Sequence, residues 1–150
     1  MRVVCAEIML INILIQMNAN RITPCKHINL RHVSIDDADF IVSIRTDNSL
    51  NKYISSVENN LNTQIAWLRA YKIRESAGTE HYFIIESLSG ESLGTVRLYD
   101  FRDKSFSWGS WVIKPGVPPS TSIESALAVY ELGFHEFGFQ CSHFEVNKQN

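Results

Sequence analysis

Three strand-like segments follow one another in the middle of the chain, separated only by short turns. They are "HYFIIES" (81–87), "LGTVRLYDF" (93–101) and "SFSWGSWVI" (105–113), all rich in aromatic and β-branched residues. A helix pattern at about 121–137 and a last strand at 142–146 come next. Tight turns join antiparallel strands, whereas a helical crossover returns a strand in parallel. The order therefore predicts a mixed sheet, antiparallel first and parallel at its end.

The preceding part of the chain predicts one strand and two helices. "HINLRHVS" (27–34) is a short strand pattern, and Ser34 is placed to cap the helix after it. A second helix is expected to begin at Asn62 or Thr63 and to end at Gly78. The complete order is β-α-α-β-β-β-α-β, which indicates an α+β fold built on one mixed sheet.

Composition excludes several classes of function. The chain has 150 residues, 45% apolar and 20% charged, which is ordinary for one globular domain. Fourteen basic and sixteen acidic residues give a net charge of −2, so we expect neither nucleic acid nor a membrane as a partner. Cys5, Cys25 and Cys141 are odd in number and widely spaced. They favour free thiols in a reducing, cytoplasmic setting.

Residues 1–20 differ from the rest because they are strongly apolar. Glu7 and Asn12 interrupt the apolar run, which is shorter than the roughly 20 residues of a membrane-spanning helix. Three readings stay open: an extra packing element, a weak signal peptide, or residues upstream of a natural start at Met17. We expect an appended segment of little functional meaning, followed by a single domain over residues 21–150.

The junction before the long helix carries the strongest functional signal. Pro118 and Pro119 stiffen the approach, and Thr121 with Glu124 forms a T-x-x-E pattern that predicts a capping box. A helix start offers unpaired N–H donors and the positive end of the helix dipole, which together suit an anion. The 3–4 spacing of apolar residues predicts the buried stripe of this helix, namely Ile123, Ala126, Leu127, Tyr130, Phe134 and Phe137.

Five segments, in this order, resemble the GNAT acyl-CoA N-acetyltransferase superfamily. They are "INLRHVSIDDADFIVSIR", "GTVRLYDF", "WGSWVI", "IESALAVYELGFHEFGF" and "HFEVNKQN", and the resemblance runs from about His27 to Asn150. Within the superfamily the chain is most similar to the branch of ribosomal-protein N-terminal and amino-sugar acetyltransferases. In that family a further helix and two strands follow the fifth strand, so the resemblance implies a domain that is incomplete at its C-terminus.

The resemblance implies a reaction and its partners. The expected function is transfer of an acetyl group from acetyl-CoA, as co-substrate, to a primary amine by direct attack. The acceptor would be a small-molecule amine such as an amino sugar, or a peptide N-terminus, and a homodimer is one expectation. The alternative is a degenerate or truncated GNAT-like module that binds CoA weakly or only associates with itself.

The resemblance also implies where acetyl-CoA binds. In the family the cofactor's pyrophosphate lies between the fourth strand and the following helix. Here the glycine positions of the family loop fall near Pro118 and Ser120, which weakens that motif. The implied cofactor contacts are Val112, Ile113, Val117, Ser120, Thr121, Ser122 and Asn150.

The resemblance also implies that catalysis takes place at a bulge in the fourth strand. Gly109 suits a bulge, and a main-chain N–H between Trp111 and Ile113 would polarise the thioester carbonyl. Glu145 is our first choice for the base that takes a proton from the amine, with His143 next; Asp100 and Tyr99 are further candidates. The implied acceptor contacts are Asn51, Lys52, Tyr53 and Tyr99.

No metal is expected. His135, Cys141 and His143 form H-x5-C-x-H, which matches no closed zinc pattern, and the chain has no second cysteine pair.

Overall fold

The computed structural model describes residues 21–47, 49–50 and 58–144, with side chains from Cys25 onward. The strands are β1 (Arg21–Pro24), β2 (Ile28–His32), β3 (His81–Ser87), β4 (Ser92–Tyr99), β5 (Ser105–Ile113) and β6 (Cys141–Ser142). The α-helices are α1 (Ala38–Arg45), α2 (Leu61–Ser76) and α3 (Ser120–Glu131). A 3₁₀ turn, Ile35–Asp37, precedes α1, and a π turn, Leu132–Glu136, extends α3.

The six strands form one sheet in sequence order, from β1 to β6. Every neighbouring pair is antiparallel except β5 and β6, which pair in parallel through Ser105 with Cys141 and Phe106 with Ser142. The predicted mixed sheet is therefore confirmed. The sequence prediction missed β1, because "RITP" is only four residues long and ends in proline, which makes a weak strand signal.

Helices cover both faces of the sheet. Alternate residues of β3 point to opposite sides, as the two-residue period of a strand requires. Phe83 and Ile85 join the core cluster beneath α3, whereas Tyr82 and Ile84 join the cluster beneath α1 and α2. The sheet therefore has a buried layer on each side.

The starts of α1 and α2 follow their capping residues. The Asp37 carboxylate accepts a hydrogen bond from the Ser34 N–H at 2.6 Å, and the 3₁₀ turn separates Ser34 from α1. The side chain of Asn60 accepts from the Thr63 N–H at 3.2 Å, so α2 begins at Leu61, slightly earlier than predicted. Gly78 has a φ of +68° two residues after α2, as expected for a glycine that ends a helix.

One prediction for α3 is wrong and another is right only in part. Glu124 does not close a capping box with Thr121, because its carboxylate accepts from the His27 N–H at 2.9 Å and also contacts the His27 ring. The predicted stripe holds at its C-terminal end, where Tyr130, Phe134 and Phe137 pack against the core, but Ile123 and Leu127 are both 63% exposed. The residues that face the sheet are Thr121, Ser125, Ala128 and Val129. These side chains are small, and α3 packs on the sheet through them.

None of the helices in the described part of the chain is long and apolar enough to cross a membrane. Cys25 is half-buried and Cys141 is exposed, and both are free thiols.

Candidate active site

A β-bulge interrupts the pairing of β4 with β5. Thr95 pairs with Val112, and Arg97 pairs with Gly109. One residue of β4 therefore lies opposite two residues of β5, Ser110 and Trp111. Ser110 has a φ of +48°, which is rare for a residue other than glycine. The predicted bulge is present in this strand, but its centre lies at Ser110 and not at Gly109.

The Thr95 side chain fixes the bulge from the neighbouring strand. Its hydroxyl donates to the Ser110 carbonyl oxygen at 2.9 Å, and Thr95 is completely buried. The carbonyl that leaves the regular ladder thus finds a partner on β4. This bond holds the backbone of β5 in its irregular path.

Gly109 lets Tyr99 lie against β5. A Cβ atom at Gly109 would stand 3.0 Å from the Tyr99 hydroxyl oxygen, closer than most Cβ contacts. Glycine at this position therefore allows the Tyr99 hydroxyl a close approach, which differs from the predicted role in the bulge. The approach places Tyr99, a predicted acceptor contact, beside the residue that precedes the bulge.

Trp111 joins the bulge to the start of α3. Its indole Nε1–H donates to the Ser125 hydroxyl at 3.1 Å, and that hydroxyl donates to the Ser122 carbonyl at 3.0 Å. The Trp111 ring also makes an edge contact with Trp108, with 5.4 Å between the ring centroids. The strand and the helix start that the sequence singled out, β5 and the first turns of α3, are therefore linked by side chains.

The first turn of α3 leaves main-chain donors open. The Thr121 N–H donates to the Pro118 carbonyl at 2.9 Å, and Thr121 itself is buried. The N–H groups of Ser120 and Ser122 meet no acceptor among the residues that the structure describes. Ser120 and Ser122 are half-buried. These two amides fit an anion.

The other predicted cofactor contacts lie next to this turn. Val112 is buried, and Ile113 and Val117 pack against the core cluster beneath α3. Val112 and Ile113 pair with Thr95 and Gly94 of β4. A ligand would therefore meet mainly the backbone of these residues. Asn150 lies outside the described residues.

His143 and Asp100 contact each other just beyond the ends of β6 and β4. The His143 Nε2 lies 2.9 Å from Asp100 Oδ2, and His143 Nδ1 is buried without a hydrogen-bond partner in the described structure. Hydrogen bonds from Arg102, and then from His143, hold the pKa of the Asp100 carboxyl below its usual range. A carboxylate that orients an imidazole is a common arrangement for proton transfer. The sequence named both residues as candidates but did not predict their contact.

The His143–Asp100 pair lies near the turn between β4 and β5, at the start of β5. The His143 N–H donates to the Phe106 carbonyl at 2.9 Å. Phe106 precedes Ser110 by four residues, which corresponds to roughly 13 Å along a strand. The start of α3 lies beyond the other end of β5. Glu145, Asn51, Lys52 and Tyr53 lie outside the described residues, so their predicted roles stay predictions.

Sequence reasoning missed a cation–aromatic cluster next to Tyr99. The Arg97 guanidinium lies 4.5 Å from the centroid of the Tyr99 ring and 5.6 Å from that of Trp67. Arg97 also lies 3.3 Å from Glu80, which is buried. The alternation of Thr95, Arg97 and Tyr99 along β4 was the available signal, since it places the three side chains on one face.

In the described part of the chain no group of three or more His, Cys, Asp or Glu side chains could hold a metal ion. The predicted absence of a metal stays a prediction.

Comparison with known proteins decides the family. The model of the acetyltransferase (GNAT) domain family matches residues 27–150. The chain belongs to the GNAT acetyltransferase family. Proteins of this family generally use acetyl-CoA. The α+β fold and the resemblance predicted from the sequence are thereby confirmed.

Solved structures of GNAT proteins show the same fold. Apo FdhC, described as a nucleotide-linked sugar GNAT, is 46% identical and has a TM-score of 0.75, with 83% of this chain and 71% of that chain covered. An acetyltransferase (GNAT family) from Bacillus anthracis is 14% identical, with a TM-score of 0.65 and coverage of 79% and 69%. A dodecameric spermidine N-acetyltransferase from Vibrio cholerae is 14% identical, with a TM-score of 0.59 and coverage of 77% and 67%. No curated protein matches the chain.

Proposed function

We propose that this GNAT protein transfers an acetyl group from acetyl-CoA to the primary amine of an amino sugar. The family supports acetyl transfer in general, and the amino-sugar acceptor is supported by 46% identity to a nucleotide-linked sugar GNAT. The neighbours that are 14% identical share the fold and carry no argument about the acceptor.

The β-bulge at Ser110 and Trp111 is the observation that carries this proposal. A regular strand uses its N–H groups in the ladder, whereas a bulge turns part of the backbone away from its partner. Amides that are fixed in advance stabilise negative charge that develops on a carbonyl oxygen. The bulge is fixed by the Thr95 hydroxyl on one side and by the Trp111–Ser125 bond on the other.

Acetyl-CoA would supply the acetyl group, and its phosphates would bind at the start of α3. Support for this comes from the Ser120 and Ser122 amides, which have no acceptor in the described structure. Pro118 and Pro119 donate no hydrogen bond, so these amides carry most of the binding. The backbone at Val112, Ile113 and Val117 would line the arm of the cofactor.

The acceptor amine must be neutral to attack, and the group that takes its proton stays a proposal, with Glu145 as the first candidate and His143 as the second. The His143 Nε2 already faces Asp100 at 2.9 Å, its Nδ1 is buried, and the pair lies roughly 13 Å along β5 from the bulge, so Glu145 stays the first choice. Tyr99 would contact the acceptor, since its hydroxyl lies against Gly109. Glu145, with Asn51, Lys52 and Tyr53, keeps its predicted role as a proposal.

Calorimetric titration with CoA and acetyl-CoA, followed by a thiol-release assay, tests the proposal. We expect binding of both ligands, and release of CoA thiol with amino sugars but not with a peptide N-terminus. No binding at millimolar ligand would leave only the alternative of a GNAT-like module without catalysis. Thiol release with the peptide alone would reassign the acceptor.

A further inference from the structure

Arg97 on β4 lies within cation–π distance of two aromatic rings. Its guanidinium carbon lies 4.5 Å from the centroid of the Tyr99 ring and 5.6 Å from that of the Trp67 ring of α2. Contacts with the faces of aromatic rings stabilise a guanidinium and limit its rotamers. The side chain is 22% exposed, so it is largely fixed by its neighbours but still reaches the surface.

The hydrogen-bond donors of Arg97 are not used by the described protein. Arg97 makes no hydrogen bond within the described residues, and its Nε is buried without a partner. Its ion pair with Glu80 is long, at 3.3 Å from Nη1 to Oε1. Because Nε is buried, only the terminal Nη groups can reach a ligand, and a fixed pair of such donors is suited to bidentate binding of an anionic group.

The neighbouring charges leave this position positive. The same Glu80 carboxylate accepts a hydrogen bond from Arg74 Nε at 2.7 Å. Arg74 also lies over Trp67, with 5.3 Å from its guanidinium carbon to the ring centroid. Two guanidinium groups therefore share one carboxylate, which gives this cluster one excess positive charge. Arg74 alone is enough to neutralise the Glu80 carboxylate, so the charge of Arg97 is the one in excess.

Arg97 lies next to the bulge, on the face that carries Tyr99. It pairs directly with Gly109, the residue before Ser110. Alternate residues of a strand are roughly 7 Å apart, so Arg97 lies about that far from both Thr95 and Tyr99. When the amine of an acceptor lies at the bulge, a group on the opposite side of its sugar ring would lie close to Arg97.

We propose that Arg97 binds a phosphate of the acceptor, and that the acceptor is an amino sugar linked to a nucleoside diphosphate. This inference rests on the proposed function and narrows its acceptor class. The positive cluster attracts the diphosphate and disfavours a polyamine, which carries several positive charges. Tyr99 and Trp67 hold Arg97 in place before the acceptor arrives, which lowers the entropic cost of binding.

Three ligands with the same amine test the proposal: UDP-glucosamine, glucosamine 1-phosphate and glucosamine. Binding of each is measured by calorimetry on the protein saturated with CoA, so that the phosphates of CoA occupy their own site. We expect the two phosphorylated ligands to bind at least about tenfold more tightly than glucosamine, the gain expected from charge-assisted hydrogen bonds. Spermidine should show no saturable binding.

The variant Arg97→Gln, with Arg74→Gln as its matched control, assigns the effect to one residue. Both variants remove one guanidinium from the same ring and the same carboxylate. Arg97→Gln should bring the affinities for the three ligands to within about twofold of one another, whereas Arg74→Gln should keep part of the preference, because it removes the excess charge but leaves the guanidinium that faces the ligand. Arg97→Lys should give an intermediate preference, because it keeps the charge but loses the planar fork. Thermal unfolding of every variant serves as the control that it is folded.

Equal affinity for the three ligands in the wild type, or no measurable binding of any, would overturn the inference. So would an equal loss of preference in Arg97→Gln and Arg74→Gln. These outcomes leave the proposed function intact as long as the protein binds acetyl-CoA and releases thiol with an amine. Failure of acetyl-CoA to bind would instead overturn the proposed function itself.

Discussion

Among the residues that the structure describes, two other than glycine have a positive φ, Asp100 at 50° and Ser110 at 48°. Such a conformation costs on the order of 1–3 kcal/mol, and it persists only where the surroundings enforce it. Ser110 forms the bulge, whereas Asp100 lies toward the other end of β5, beside His143. Ser110 is held by Thr95, and Asp100 is held by Arg102 and His143. At Ser110 the backbone strain coincides with the bulge on which the proposed chemistry depends.

We expect Gly109→Ala to lower kcat/KM for the amine about tenfold while the affinity for acetyl-CoA stays within about twofold. The new methyl group would meet the Tyr99 hydroxyl at 3.0 Å and displace it from the strand. Steady-state kinetics and a CoA titration measure the two effects. The double variant Gly109→Ala/Tyr99→Phe removes the oxygen that is contacted and should recover part of the loss. A fall in CoA affinity as large as that in kcat/KM would contradict the assignment of Tyr99 to the acceptor.

At the scale of elements, the junction of β4, β5 and α3 builds the site. Thr95 of β4 bonds to the bulge of β5, and Trp111 of β5 bonds to Ser125 of α3. Because every link is a single side-chain hydrogen bond, each can be removed without deleting an element.

Thr95→Val tests the link between β4 and the bulge. Valine has nearly the same shape as threonine, so the packing is retained while the Ser110 carbonyl loses its donor. We expect a loss of about 1–3 kcal/mol in the free energy of unfolding, the cost of an unsatisfied buried acceptor, together with slower acetyl transfer. Urea unfolding and thiol release measure these effects. Thr95→Ser keeps the hydroxyl and should retain most of the activity; equal rates for the valine variant and the wild type would refute a catalytic role for the bulge geometry.

A histidine pair joins the ends of β2 and β3, and it makes stability depend on pH. His32 Nε2 lies 3.2 Å from His81 Nδ1, and the His81 ring stacks on Phe137 at 4.7 Å. Burial lowers the pKa of His32 to about 4, and burial also lowers the pKa of His81. Glu75 opposes this shift in both rings, whereas Lys72 reinforces it in His32; Glu80 opposes it in His81.

The neutral pair is compatible with the fold, whereas the unfolded chain binds protons near pH 6.5. The stability contributed by the pair is therefore fully present above about pH 6.5 and is lost progressively as the pH falls toward 4. We expect Tm to be flat at neutral pH and to fall across this window. His32→Gln should flatten the fall, whereas His135→Gln should not, because the His135 side chain is 71% exposed. Identical Tm profiles for the wild type and His32→Gln would contradict this account.

At the scale of the whole molecule, the sheet has one buried cluster on each face, and α3 covers one of them. The closest approach is at Gly133, where an added Cβ atom would stand 2.2 Å from Phe106 Cζ. Phe106 lies on β5 and is completely buried. The position of α3, and with it the proposed phosphate site, therefore depends on the absence of a side chain at one residue.

Gly133→Ala should destabilise the protein by about 1–3 kcal/mol, because it forces an extra methyl group into a packed core. It should also weaken CoA binding, since α3 must move away from β5. Thermal unfolding and calorimetry measure the two effects. The double variant Gly133→Ala/Phe106→Leu makes room for the methyl group and should restore part of both; wild-type stability in the single variant would show that the contact is easily relaxed.

A homodimer and a cytoplasmic location also stay predictions at this scale. Light scattering on the purified protein tests the first. The exposed apolar side chains of Ile123 and Leu127 lie on the outer face of α3 and are the natural positions for charged substitutions in that test.

The sequence by itself predicted the order of the elements apart from β1, and it showed the resemblance to the family that the family model confirmed. Turn residues, β-branched runs and caps are local signals, so the strands 81–87 and 105–113 were predicted with their observed bounds. The α+β class followed from the same signals, because a crossover helix between two late strands requires a parallel pair.

Only the tertiary structure decided which face of α3 is buried. Periodicity favoured Ile123 and Leu127, but the sheet receives Thr121 and Ser125. Residue hydrophobicity does not show how closely two surfaces approach, and close approach here requires small side chains.

Tertiary structure also decided the contacts that build the candidate site. Thr95 with Ser110, His143 with Asp100, and Arg97 with Trp67 are each 15 or more residues apart in the chain. Local patterns extend over a few residues, whereas a contact between strands depends on register, and the bulge in β5 shifts that register by one residue. The helices and strands could therefore be predicted from the sequence, whereas the side-chain contacts that form the candidate site could not.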